Sequence, residues 1–188
     1  LNIPKKFNKT LKIGFFSNYF RDHTINKEFK SFITNINKKK FDVYTFTCSE
    51  IFDEYTSQIK KNSNFYYTKD IVDLIKTIQC KNLDFLFFYE IGMSPESRML
   101  SSFRLARIQG VFWGHPVSSG NSKIDYFISS ELMETSNSNK YYTEKILKLP
   151  NIGIKISNKH KGYDKIDYTE KSFLVNQSLF KVLPNQDK

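Results

Sequence analysis

Four short polar segments, each directly after an apolar run, hold the residues best suited to chemistry. The first is SNYFRDHT (17–24), in which His23 follows Asp22. Because histidine titrates near neutral pH, His23 suits general acid–base catalysis, although a surface histidine or a helix cap is equally consistent with this position. No neighbouring motif marks a serine or cysteine nucleophile, so a catalytic triad is not supported.

The second segment, YEIGMSPES (89–97), offers three candidate binding groups at the end of an apolar run. Glu90 is able to bind a sugar hydroxyl, but exposed carboxylates are common at such places. Gly92 lets a ligand approach the backbone, and Ser94 offers a hydroxyl donor. Since serine followed by proline suits the start of a helix, an N-cap role for Ser94 is the alternative.

The third segment, WGHPVSSG (113–120), has the composition either of a ligand wall or of a structural turn. Trp113 offers an aromatic surface, Gly114 permits close approach of a ligand or of another backbone, and Pro116 stiffens the turn. The two serines offer hydroxyls. Neither GxGxxG nor GxxxxGK[ST] occurs, so the sequence predicts no glycine-rich phosphate-binding loop in this part of the chain.

Segments with strand character alternate with segments of helical periodicity along the chain. Strands are predicted at 11–17, 41–47, 64–68, 83–89, 107–113, 124–130 and 144–150, and helices at 25–36, 51–61, 69–80 (capped by Thr68) and 95–104. This alternation predicts an α/β fold, with a Rossmann-like parallel sheet and helices on both faces. Ligands of such sheets bind beyond the carboxyl ends of the strands, where the three segments and a fourth, SSELMET (129–135), are expected.

The net charge of +10, from 29 Lys+Arg against 19 Asp+Glu, raises the question of nucleic-acid binding. The lysines are scattered among asparagines, and the aromatic residues form apolar runs instead of alternating with basic residues as in a base-stacking surface. We therefore expect no nucleic-acid partner.

Cysteine content and hydropathy indicate a cytoplasmic protein without a membrane partner. Cys48 and Cys80 are the only cysteines, and two unclustered thiols are typical of a reducing compartment. Their spacing does not support a zinc site. No run approaches the roughly 20 apolar residues that a membrane-spanning helix needs.

A change in composition predicts a domain boundary between Lys159 and Lys171. Residues 151–169 are polar and resemble a linker, and SFLVNQSLF (172–180) reads as a new strand. We assign residues 1–160 to a first domain and 161–188 to the linker and start of a second. Lys181 follows that strand and is able to offset charge on a departing diphosphate, unless it is one more surface lysine.

Several of these segments together resemble one family. SNYFRDHT, YEIGMSPES, the continuous stretch RLARIQGVFWGHPVSSGNSKIDYFISSELME (104–134) and YYTEKILKLP (141–150) look like the catalytic region of the O-GlcNAc transferase family. This is glycosyltransferase family 41, which includes SPINDLY-like and bacterial members. FLVNQSLFK (173–181) resembles the start of that family's second domain, so the resemblance runs from about Leu11 to Lys181.

The resemblance implies a GT-B fold, in which two Rossmann-like domains face each other across a cleft. The implied reaction is metal-independent, inverting transfer of a sugar, typically GlcNAc from UDP-GlcNAc, to Ser or Thr of an acceptor protein, while one branch glucosylates Asn. No cofactor is implied beyond the UDP-sugar donor. The second domain would hold most UDP contacts, and the first would supply the acceptor side and part of the sugar pocket.

Residue roles carried over from the family fall on the segments described above. His23 matches the active-site histidine, and Lys181 matches the lysine that stabilises the UDP leaving group. The positions that match residues near the donor sugar are Gly92, Ser94, Gly114 and Pro116. On this basis Gly114 is expected to be small because the sugar lies against it, whereas His115, where the family has His or Tyr, is not expected to be catalytic.

Two departures from the family pattern flank His23. Tyr19 stands where the family usually has Asp, and Thr24 where it often has Pro. The sequence also ends shortly after Lys181, so the 188-residue chain alone is expected to have no transferase activity. The alternatives are a catalytically incomplete relic that acts as a protein-binding module, or the Asn-glucosylating branch of the family.

Overall fold

A parallel sheet is the centre of the fold in the computed structural model, which describes residues 10–155 of the chain. Its strands are β1 (Leu11–Phe16), β2 (Phe41–Thr47), β3 (Asn64–Tyr67), β4 (Leu83–Phe88), β5 (Ala106–Phe112), β6 (Tyr126–Ser130) and β7 (Lys145–Leu149). The order across the sheet is β3-β2-β1-β4-β5-β6-β7, and every neighbouring pair is parallel. The predicted Rossmann-like sheet is confirmed.

Helices cover both faces of the sheet, as predicted. They are α1 (Thr24–Phe29), α2 (Ser31–Thr34), α3 (Glu54–Asn62), α4 (Ile71–Lys81) and α5 (Pro95–Ser101), and a short 3-10 helix spans Ser138–Tyr141. Because strand side chains alternate between faces, Phe15 lies in the core beneath α1–α3, and Phe16 lies in the core beneath α4 and α5.

Helix boundaries differ from the sequence predictions where side chains cap the backbone. The predicted helix over 25–36 is two short helices that meet at Lys30. Asp70, not Thr68, caps α4: its carboxylate accepts the backbone N–H groups of Val72 (2.8 Å) and Asp73 (3.3 Å). The Thr68 hydroxyl instead accepts a hydrogen bond from the backbone N–H of Asp70 at 3.2 Å, and Asp70 directly precedes the first residue of the helix.

The strand order reverses between β1 and β4. The chain builds β1, β2 and β3 outward on one side of the sheet and then returns to place β4, β5, β6 and β7 on the other. In open parallel sheets the loops at this reversal diverge and leave a crevice beyond the carboxyl ends of the strands, where ligands bind. The predicted domain boundary and the start of the second domain lie outside the described residues.

The buried side chain of Gln109 on β5 fixes the segments that enter β5 and β6. Its Oε1 accepts from the backbone N–H groups of Leu105 (2.6 Å) and Ala106 (3.2 Å). Its Nε2 donates to the carbonyls of Phe103 (3.1 Å) and Lys123 (2.9 Å). All four hydrogen-bonding positions of this amide are used, so the side chain positions the strand that leads into WGHPVSSG.

Replacing Gln109 with leucine is expected to lower the free energy of unfolding by about 2–3 kcal/mol, because four backbone groups lose their partner. Urea unfolding followed by Trp113 fluorescence measures the loss. Gln79, exposed on α4, provides the matched control, since Gln79→Leu is expected to change stability by less than about 0.5 kcal/mol. Equal effects of the two substitutions would show that the Gln109 amide is not structural.

Candidate functional site

The loops that carry the predicted site residues leave three adjacent strands, β1, β4 and β5, at the same edge of the sheet. They also touch one another. The Tyr19 hydroxyl donates to the Met93 carbonyl (3.2 Å), joining the β1 and β4 loops. The structure therefore brings the loops of His23, Gly92, Ser94, Gly114 and Pro116 together at the strand-order reversal, while Lys181 lies outside the described residues.

Tyr89, directly after β4, connects these loops to each other. Its backbone N–H donates to the Phe16 carbonyl (3.1 Å), and its carbonyl accepts the N–H of Gly114 (3.2 Å). Its fully buried hydroxyl donates to the Phe29 carbonyl (3.1 Å), at the end of α1. One residue thus connects the end of β1, the helix that follows His23 and the WGHPVSSG loop.

His23 is the N-cap of α1. Its Nδ1 accepts the backbone N–H of Ile25 at 3.2 Å. A nitrogen that accepts a hydrogen bond carries no proton, so the neutral ring must carry its proton on Nε2. The helix-cap alternative is therefore confirmed, and in this conformation the free nitrogen of His23 is a donor.

Burial lowers the pKa of His23 below its ordinary value, and the positive charge of Arg21 lowers it further. The ring is therefore neutral at pH 7. It lies against the Tyr19 ring, with 4.4 Å between the centroids. These contacts hold His23 as a neutral Nε2–H donor in this conformation, and the general-base role considered from its residue type stays a prediction.

Ser94 caps α5, as the sequence alternative held. Its Oγ accepts the backbone N–H of Ser97 at 3.2 Å, and Pro95 occupies the first helical position. An acceptor bond leaves the hydroxyl proton of Ser94 free to donate, and no acceptor for it is found within residues 10–155. Capping α5 therefore leaves the Ser94 O–H available as the hydrogen-bond donor that the predicted binding role requires.

Gly92 is required by the backbone conformation and by a neighbouring ring. Its φ of +117° lies in the region that favours glycine. A Cβ at this position would come within 3.0 Å of Cδ2 of His115. The His115 ring therefore packs directly on the Gly92 backbone and brings the β5 loop against the β4 loop.

Gly114 is small for a reason internal to the fold. A Cβ at this position would lie 2.4 Å from the Tyr89 carbonyl oxygen, far inside contact distance, and 3.3 Å from Cβ of Glu90. The backbone directly after β4 thus explains the absence of a side chain at Gly114, and the sugar contact expected there stays a prediction. Gly114 shapes the loop through this close approach, and Pro116 stands exposed two residues later.

Glu144 anchors the WGHPVSSG loop, a role that the sequence analysis did not assign. Its carboxylate accepts the Ser118 hydroxyl (2.7 Å), the Ser119 N–H (2.7 Å) and the Ser119 hydroxyl. Burial opposes ionisation, but the bonds from Ser119 and Ser118 hold the pKa of Glu144 below its ordinary value. Both serine hydroxyls thus donate their protons within the protein, and a role for them in binding a ligand stays a prediction.

An open cleft of about 570 Å³ lies between the β4 and β5 loops. Its volume falls within the range typical of small-molecule sites. Gly92 and His115 form one wall, and residues 117–123 form another. Arg98 on α5 and Lys123 contribute positive charge, so the cleft suits a polar or anionic ligand.

Glu90 is a buried carboxyl at the centre of this edge, not an exposed one as the sequence suggested. Its Oε2 accepts the Met93 N–H and the Ser97 hydroxyl, both at 3.1 Å, and its buried Oε1 has no hydrogen-bond partner among the described residues. Burial raises the pKa of Glu90 to about 7. Glutamate is usually exposed, so the full burial of Glu90 could not be predicted from its residue type.

Neither a metal site nor a membrane-spanning helix is found among the described residues. No group of three or more His, Cys, Asp or Glu side chains there is arranged to hold a metal ion. Likewise, none of the helices in residues 10–155 is long and apolar enough to cross a membrane.

Comparison with solved structures finds the same fold in a glycosyltransferase. The structure is similar to that of a K341M mutant of the O-GlcNAc transferase of Thermobaculum terrenum, with a TM-score of 0.69 and 18% sequence identity. The match covers 78% of this chain and 29% of that one, so this chain spans well under half of that protein's length. No protein-family model and no curated protein matches the sequence.

The buried carboxyl of Glu90 is expected to make stability depend on pH. Because its folded pKa is raised, the folded state binds a proton more tightly than the unfolded chain, so stability falls as pH rises from about 4.5 through 7. Glu90→Gln removes the charge. It is expected to match the parent at pH 5 and to be more stable by about 2–3 kcal/mol at pH 8.

Urea unfolding at the two pH values measures this difference. Glu54, exposed on α3, provides the control, because Glu54→Gln is expected to shift stability by less than about 0.5 kcal/mol at either pH. The same pH dependence in Glu90→Gln and in the parent would contradict the assignment of a raised pKa to Glu90.

Proposed function

We propose that this chain supplies the first-domain part of the active site of a protein glycosyltransferase. The reaction is transfer of a sugar, GlcNAc in the first instance, from a UDP-sugar to Ser or Thr of an acceptor protein, with inversion and without a metal. The observation that carries the proposal is the convergence of the SNYFRDHT, YEIGMSPES and WGHPVSSG loops at the strand-order reversal. The similarity in fold to an O-GlcNAc transferase supports it.

In this proposal the cleft between the β4 and β5 loops receives the donor sugar. Ser94 lines an adjoining cleft that shares Gly92 and Arg98 with this one. It donates its hydroxyl proton to a sugar oxygen while its Oγ continues to cap α5. Gly92 lets the sugar approach the backbone, and Gly114 and Pro116 shape the opposite loop. His23 contributes an Nε2–H donor, and Lys181 stabilises the UDP leaving group, as the family resemblance implies.

A UDP-glucose donor and an Asn acceptor form the second version of the same proposal. The cleft is lined by backbone, by several serines and by Arg98, His115 and Lys123, and this lining alone does not select GlcNAc over glucose. The two versions are separated by assay with each donor and with Ser/Thr or Asn peptides.

Transfer of labelled sugar to peptides by the native polypeptide that carries this sequence tests the proposal. We expect label from UDP-GlcNAc on Ser/Thr peptides. Ser94→Asp retains an acceptor that caps α5 but cannot donate, so it is expected to lower kcat/KM at least about tenfold at unchanged thermal stability. Ser94→Thr retains both functions and is expected to lose less.

Ser57→Ala on α3, outside the cleft, serves as the control and is expected to leave kcat/KM unchanged. Absence of transfer from both nucleotide sugars to every peptide would remove the transferase proposal and favour a binding module. Equal kcat/KM for Ser94→Asp and Ser57→Ala would remove Ser94 from the site.

A further inference from the structure

Arg21, in the loop after β1, has no anionic partner among the described residues. Its Nε is buried without a hydrogen-bond partner, and its Cζ lies 5.7 Å from the centre of the Tyr19 ring. The adjacent carboxylate of Asp22 pairs with Lys27 instead, at 2.5 Å. A partly buried guanidinium that is not paired has lost hydration without compensation, which favours binding of an anion.

The two carboxyl groups whose charge reaches Tyr19, those of Glu90 and Glu96, form no salt bridge with Arg21. Glu96 accepts from the Asn18 side chain at 3.0 Å, and Glu90 accepts from Met93 and Ser97. The pKa of His23 is lowered first by burial and then by the positive charge of Arg21, whose field therefore reaches this ring. The described surroundings of Arg21 therefore leave its charge without a counter-ion.

His23 presents a second donor against the same ring. Its centroid lies 4.4 Å from that of Tyr19, and its Nδ1 is used by the Ile25 N–H, so Nε2 carries the proton. Tyr19 is itself fixed at both ends, since its N–H donates to Ser17 Oγ (3.0 Å) and its hydroxyl donates to the Met93 carbonyl. Both donor groups thus lie near one ring, that of Tyr19, which joins the β1 and β4 loops.

We propose that Arg21 and His23 form a donor-only subsite for a phosphoryl group beyond the carboxyl end of β1. Neither group offers an acceptor in this state, and a guanidinium matches the paired oxygens of a phosphate. The subsite consists of side chains, so it needs neither a glycine-rich loop nor the N-terminus of the six-residue α1. It deepens the proposed function and rests on it for the ligand's identity, the diphosphate of the nucleotide sugar.

Titration of the 188-residue chain with inorganic pyrophosphate, followed by NMR, tests the subsite without any transfer reaction. We expect weak, saturable binding with the largest shift changes in residues 19–24. Arg21→Gln is expected to weaken binding at least about tenfold, and Arg21→Lys less, because lysine keeps the charge but not the paired donors.

Lys76→Gln, an exposed position on α4, removes the same charge and serves as the control for general electrostatics. It is expected to change the affinity less than about twofold. Binding that Arg21→Gln leaves unchanged, or that Lys76→Gln weakens equally, would overturn the inference, as would shift changes confined to other parts of the chain.

The protonation state of His23 provides an independent readout. In ¹⁵N-histidine-labelled chain at pH 7.5, we expect the proton on Nε2, with the signal assigned by its loss in His23→Asn. His23→Asp retains a cap acceptor but replaces the donor with a negative charge, and it is expected to abolish pyrophosphate binding. A proton on Nδ1, or full binding by His23→Asp, would contradict the subsite.

These results separate the subsite from the proposed function. Pyrophosphate binding that depends on Arg21, in a protein that transfers no sugar, supports the subsite and removes the transferase. Transfer with kcat/KM and donor KM unchanged in Arg21→Gln supports the transferase and removes the subsite.

Discussion

The three hydrogen bonds of Tyr89 are the interaction on which the candidate site depends. Its backbone joins the end of β1 to the β5 loop, and its buried hydroxyl holds the end of α1. The contact with Gly114 is so close that no other residue than glycine fits there without displacing backbone. Because the loops of an open parallel sheet diverge at the strand-order reversal, such cross-links are needed to keep their side chains at a common crevice.

With the loops held in this way, the edge presents hydrogen-bond donors and positive charge. His23 is neutral with its proton on the free nitrogen, Arg21 has no counter-ion in the described chain, and Arg98 borders the cleft. The one carboxyl at the centre, Glu90, is buried and is half protonated near pH 7. Such a surface is complementary to an oxygen-rich, anionic ligand, as a nucleotide sugar would be. Apart from Glu90, the groups at this edge are hydrogen-bond donors and cations, so none of them is assigned as the general base.

The local sequence pattern predicted the sheet well. A strand that is buried on both faces consists of a run of apolar residues, and this run is recognisable without knowing which strands pair with it. FDVYTFT has the bounds of β2 as predicted, and β4 and β5 differ from the prediction only at their ends. Contacts between distant residues could not be read in this way. The reason for Gly114 is a carbonyl 25 residues earlier in the chain, and the serines of WGHPVSSG are held by Glu144, which lay in a quoted motif without any pattern to mark its role. The burial of Glu90 and the tautomer of His23 likewise follow from three-dimensional packing.

A crystal structure of the native protein with UDP-GlcNAc tests the central claim, that the loops after β1, β4 and β5 form one donor site. We expect the sugar in the cleft beside Gly92, with Ser94 at its border and the His115 loop on its other side, and the diphosphate within hydrogen-bond distance of Arg21. Density for the nucleotide sugar at any other edge of the sheet, or no density at saturating donor, would contradict it.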